Sequence, residues 1–143
     1  MKDIENKRLN LLIWFRLARV YTNSIKESNQ HLKKWGLTAA QFDILVQIGI
    51  AKRMSQVELA EKLFVTKGNI TQLLSKMEKL ELIEREQEWR TKYVKLTGKG
   101  EALLNDVLPL QEQFQADHFS SLNNEEKKQI LELLKKIKIM PLD

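Results

Sequence analysis

A chain of 143 residues with 43% hydrophobic and 30% charged side chains is sized and composed for one ordered domain with a single core. It has no cysteine, which excludes disulfide scaffolds, thiol redox sensing, thiolate zinc sites and cysteine nucleophiles. The net charge is +5, and Lys52 to Lys99 alone holds eleven basic residues against seven acids, so the middle third is where a polyanion would bind.

Only five Gly and two Pro interrupt a chain rich in helix formers, which predicts a mainly α fold with a small sheet. From Ile4 to about Leu32, apolar residues including Leu11, Phe15, Ala18 and Ile25 recur at steps of three and four, predicting one long helix. So long a helix in so small a protein leaves apolar surface for a second subunit to cover. Gly36 ends this segment, and Thr38 with Gln41 forms a capping pair for a second helix expected to stop near Gly49. Ile50, Ala51, Lys52 and Arg53 then read as a connector.

Ser55 and Glu58 cap a short third helix, about Gln56 to Leu63. After Phe64-Val65-Thr66 comes a fourth, about Lys67 to Leu80, with Ile70, Leu73, Leu74, Met77 and Leu80 on its core stripe. The period then changes to two: Tyr93 to Thr97 alternates as a strand, and the polar stretch Glu86 to Thr91 reads as a hairpin tip. A fifth helix is expected from Thr97 to about Phe119, bent near Pro109, and a last one is capped by Asn123 and Glu126.

The third and fourth helices form a helix-turn-helix followed by a β-wing. The outer face of the fourth helix carries Lys67, Asn69, Thr71, Gln72 and Lys76 with no acid between Lys67 and Lys76. Amides and hydroxyls there can pair with base edges in a major groove while lysines neutralise phosphates. Thr66 can cap the helix and leave a hydroxyl or amide for a phosphate. An ordinary solvated face would mix both charge signs, as Glu125-Glu126-Lys127-Lys128 does.

Four stretches together resemble the MarR-type winged-helix regulators over essentially the whole chain. They are Gly36 to Phe42, Ser55 to Ala60, Val65 to Thr71 and Leu96 to Gly100. The resemblance implies a homodimer built from the first and last two helices, a palindromic double-stranded DNA site, and release by a small-molecule effector. It places the recognition helix at Lys67 to Lys76 and the wing tip at Arg90. The expected architecture is a winged helix-turn-helix core over 34–99, with dimerisation helices in 1–33 and 100–143. The DNA-contacting candidates are Ser55, Gln56, Thr66, Lys67, Gly68, Asn69, Thr71, Gln72, Lys76, Arg85, Arg90 and Lys92, with Lys79, Lys95 and Lys99 as further phosphate contacts. The wing departs from the family, whose usual Asp-Arg-Arg run is Glu88-Trp89-Arg90 here. Trp89 is read as packing on a sugar-phosphate edge in preference to backing the wing.

Most of Trp14, Phe15, Tyr21, Trp35 and Phe42 are core residues by their spacing, and the resemblance implies a ligand pocket that they line. His31 and His118, the two histidines, are read as unrelated surface residues and no metal or cofactor is expected. No phosphate loop, serine elbow or paired catalytic acid occurs, so the chain is not expected to be an enzyme. With no apolar run of membrane-spanning length, a cytoplasmic location is expected. A winged helix serving as a protein-interaction module without DNA readout is the rival reading.

Overall fold

The structure, a computed structural model, describes residues 2–140. Its order is α1 (Lys2–Leu32), α2 (Ala39–Ala51), β1 (Met54–Ser55), α3 (Gln56–Leu63), α4 (Lys67–Lys79), β2 (Ile83–Glu88), β3 (Thr91–Leu96), α5 (Gly98–His118) and α6 (Asn124–Lys135). The fold is a winged helix: mainly α, with a small antiparallel sheet. The chain separates into two compact units, one ending at Ala39 and the other starting at Ala40.

In the first unit, α1 runs into a 3-10 turn, Lys33–Trp35. Gly36 stops it at φ +70°, a left-handed conformation that glycine adopts without a Cβ penalty, and donates to the Lys33 carbonyl at 3.0 Å. The Asn29 side chain then accepts the Ala39 amide at 2.7 Å. Most of α1 is exposed, its apolar residues included: Leu12, Trp14 and Tyr21 are among them.

The second unit holds the core, where Ile44, Leu45, Ile48, Leu59, Ile70, Leu74, Met77, Ile83, Val94 and Val107 are fully buried. Three caps set the helix starts in its helix-turn-helix and beyond, since each satisfies an orphan N–H of the first turn. Ser55 Oγ accepts from Glu58 N (3.1 Å), Thr66 Oγ1 from Asn69 N (3.2 Å) and Thr97 Oγ1 from Gly100 N (3.0 Å). A reciprocal capping box, Asn123 with Glu126, starts α6. The turn between α3 and α4 is tight because Phe64 takes φ +54° and Val65 N returns to the Ala60 carbonyl at 3.0 Å.

Three expectations need correction. The second helix does not end at Gly49 but continues to Ala51, because that glycine serves packing: a Cβ there would lie 2.5 Å from the Leu104 side chain. Lys52, at φ +70°, makes the turn instead. The polar stretch Glu86 to Thr91 is not all tip, since Glu86 pairs with Tyr93 and Glu88 with Thr91, leaving Trp89-Arg90 as a two-residue turn. Finally, Met54–Ser55 is a strand, which makes the sheet three-stranded in the order β1-β3-β2. Helix α5 passes through Pro109 as one element, Gly98–His118.

Candidate nucleic-acid interface

Helix α4 buries Ile70, Leu74 and Met77 and leaves Lys67, Gly68, Asn69, Thr71, Gln72, Lys76 and Lys79 exposed. The apolar stripe recurs at three and four residues, so burying it presents the remaining polar side chains together to solvent. Thr71 donates its hydroxyl to the Lys67 carbonyl at 2.8 Å, so that oxygen is left to accept. The side-chain amides of Asn69 and Gln72 can each both donate and accept, which is what reading a base edge requires. Thr66 is exposed at the helix start. Ser55 is buried at the start of α3, and Gln56 is half-buried with its Oε1 in the interior and no hydrogen-bond partner for it.

Not every cation of the middle third faces solvent uncommitted. Arg85 lies on the β2 face turned to α4, where its Nη2 donates to Glu78 Oε1 (3.0 Å) and Ser75 Oγ (3.3 Å) and its Nε to Glu78 Oε2 (3.4 Å). This forked pair ties the base of the wing to the last turns of α4, and it holds the Glu78 carboxyl below the usual range. Lys99 donates to the Leu80 carbonyl at 3.0 Å, satisfying a carbonyl just past the end of α4.

The opposite face of the wing is a row of charges that largely cancel. Lys95 pairs with Glu86 (2.9 Å) and Glu84 (3.7 Å), which lowers the Glu86 carboxyl and raises the lysine. Arg53 reaches from the α2–β1 connector to Glu88 at 2.6 Å, with its guanidinium 3.7 Å from the centre of the Tyr93 ring. What remains free near the tip is Arg90, whose guanidinium stands 4.8 Å from the Trp89 ring centre, and Lys92. Among the described residues neither has a carboxylate partner.

Away from this surface, α2, α5 and α6 enclose an open, mostly apolar cavity of about 680 Å³ lined by Phe42, Val46, Leu108, Phe119, Ile130 and Leu134 among others. Of the five aromatic residues expected to form a pocket, Phe42 lines it; Trp14, Phe15 and Tyr21 are exposed along α1, and Trp35 is half-exposed against His31, 5.2 Å between ring centres. Asp43 sits at the cavity edge, and desolvation pushes its carboxyl above the usual range. A carboxyl raised by folding costs stability once ionised, and the cost vanishes below its unfolded value of 3.8. Asp43→Asn is therefore expected to raise the melting temperature at pH 7, with the difference shrinking as pH falls towards 3.8, followed by thermal melts across that range. A difference that grew on acidification would contradict this. Among the described residues, no group of three or more His, Asp and Glu could hold a metal ion, and no helix is long and apolar enough to cross a membrane.

A capped helix-turn-helix with a cationic, amide-bearing second helix, followed at once by a β-hairpin, defines a winged-helix DNA-binding transcription regulator. The MarR family profile matches residues 35–88. An HTH-type transcriptional regulator of Bacillus cereus is 44% identical over 135 residues, covering 94% of this chain and 92% of the relative. A mutant of Escherichia coli MarR complexed with operator DNA is similar at TM-score 0.79 and 27% identity, over 89% of this chain and 94% of that one. BpsR of Bordetella bronchiseptica, whose DNA binding is regulated by 6-hydroxynicotinic acid, is similar at TM-score 0.81 and 25% identity, over 87% and 97%. The chain belongs to the MarR family of transcriptional regulators.

Proposed function

We propose that the protein is a homodimeric repressor that binds a palindromic operator in double-stranded DNA and is released from it by a small apolar ligand. The observation that carries the reading is the solvent face of α4, where Lys67, Gly68, Asn69, Thr71, Gln72 and Lys76 lie exposed without an acid among them. Two copies place two such helices in successive major grooves, about 10 bp apart, so a two-fold protein meets a near-palindromic site. Thr66 and the lysines anchor phosphates, Asn69 and Gln72 read base edges, and Arg90 and Lys92 extend the contact through the wing. Ser55, Gln56 and Arg85 belong to this surface as supports: Ser55 caps α3, Gln56 opens it, and Arg85 fixes the wing to α4.

The dimer is supported by apolar side chains that water should not keep: Leu12 and Trp14 on α1, and Leu131 and Leu133 on α6, are each more than half exposed. The helices of 1–33 and 100–143 are accordingly the dimerisation elements of the proposal, and 34–99 the DNA-binding lobe. The cavity beside Phe42 suits a small apolar effector carrying one or two polar groups, which Gln47 and Lys127 of its lining can meet. Such a ligand acts by changing the distance between the two recognition helices. As a regulator that acts on DNA, the protein works in the cytoplasm and is not an enzyme.

Fluorescence anisotropy against random duplex and against sites selected from a random pool, at several salt concentrations, tests the reading. A palindrome bound about a thousandfold more tightly than random DNA, with steep salt dependence, is the expected result. Weak binding with no selectable site would leave the winged helix as a protein-interaction module.

A further inference from the structure

We propose that Trp89 is itself a DNA-contacting residue, laying its indole on the deoxyribose edge of a minor groove and forming, with Arg90, a two-residue head at the tip of the wing. The proposal rests on the reading of the chain as a duplex-DNA binder and adds to it a contact made by an aromatic ring.

Trp89 occupies the first position of the two-residue β2–β3 turn at φ +56°. Asn, Asp and Gly are the residues that take such a conformation readily, whereas a bulky ring carries a steric cost there. The residue is also 86% exposed, more than any other large apolar residue among those described. The fold therefore recovers little from it: at that exposure the indole covers no core, and its ring contact among the described residues is with Arg90 beside it in the turn. The turn is nevertheless held in place, because Gln87 Nε2 donates to the Trp89 carbonyl at 2.9 Å and Arg53 secures Glu88 at 2.6 Å. A costly, solvent-facing ring on a braced turn gains its free energy from a bound partner.

The charge around the ring selects the partner. The acids nearest the tip, Glu86 and Glu88, are matched by Lys95 and Arg53, so they present little repulsion to a polyanion. Arg90 stands over the indole with its guanidinium 4.8 Å from the ring centre, and Lys92 follows on β3, both without a carboxylate among the described residues. An apolar protein patch would leave those two cations to be desolvated unpaired, whereas a phosphate backbone pairs them and offers the sugar's apolar edge to the ring. The strands rise ~3.4 Å per residue, so the tip projects ~17 Å from the buried base of the wing at Ile83, clear of the core.

Trp89→Asn removes the ring while keeping a residue suited to the turn, and it is compared with wild type by anisotropy on a duplex selected by the wild-type protein. The variant is expected to bind that duplex about tenfold more weakly with an unchanged salt slope, since no charge is lost, whereas Arg90→Ala should make the slope shallower by about one. Trp89→Phe, which keeps an aromatic face, should recover most of the affinity. In acrylamide quenching, the duplex should shield a fraction of the wild-type fluorescence that is missing in the Asn variant. Equal affinity for wild type and Trp89→Asn, or equal quenching of wild type with and without DNA, overturns the proposal while leaving the regulator reading intact. Failure of the wild type to select any duplex overturns both.

Discussion

Replacing Lys67 and Lys76 together by glutamate is expected to weaken binding to a selected duplex about a thousandfold at ~0.15 M salt. Both lysines are exposed on α4 and neither has an ion-pair partner among the described residues, so their charge is available to phosphates. Each phosphate neutralised releases about 0.9 counterion, worth roughly a factor of five at that salt concentration, and a reversed charge repels about as much as the original attracts. Four such factors multiply to about a thousand. The salt slope should become shallower by about two or more, measured by the same anisotropy titrations. The fold should tolerate the change, because neither lysine touches the core that Ile70, Leu74 and Met77 form on the opposite face. A protein-interaction module would lose nothing comparable, so retained binding to duplex by the double variant would count directly against the proposed function.

The choice of those two lysines was legible in the sequence, and the reason is periodicity. Ile70, Leu74 and Met77 are spaced to share one face of a helix, so the positions between them had to share the other. The caps at Ser55, Thr66 and Asn123 were legible for a similar reason, since each stands three residues before the amide it accepts, whereas the Thr97 cap of α5 was not read. Contacts that join distant parts of the chain left no such trace. Arg85 counts as a free cation in the sequence, but its partner Glu78 lies on another element, and Lys99 meets the Leu80 carbonyl nineteen positions away. The same blindness hid Met54–Ser55, since two residues carry no period and only β3 beside them makes them a strand. It also shortened the expected wing strands, because Glu84 and Glu86 meet Lys95 as charge pairs, a pairing that no alternation of apolar residues marks.

Gly100 is the sharpest instance of a residue whose importance only the fold reveals, and Gly100→Ala is expected to destabilise the protein by about 3 kcal/mol, lowering the melting temperature by about 10 °C. Nothing in the run Thr97-Gly98-Lys99-Gly100 ranks one glycine above the other. In the structure, a Cβ on Gly100 would lie 2.1 Å from the Leu82 carbonyl oxygen and 3.1 Å from its carbon, both backbone atoms that no rotamer can move aside. That carbonyl already accepts the Thr97 amide at 3.1 Å, while Thr97 Oγ1 donates to the Glu81 carbonyl at 2.6 Å and Lys99 to Leu80 at 3.0 Å. The segment leaving α4 and the start of α5 are thus joined by three hydrogen bonds at the place where the extra methyl would force them apart. Gly98, two residues earlier, has nothing within 4 Å of the same added atom and lies in the first turn of α5. Gly98→Ala should therefore stabilise by about 0.5 kcal/mol through the lost freedom of the unfolded chain. Opposite signs for one substitution at two neighbouring glycines, read by thermal melts of the two variants, would attribute the loss to the close approach of α5 to Leu82. Equal shifts would assign it to helix propensity alone, and the junction would have to be looser than these distances allow.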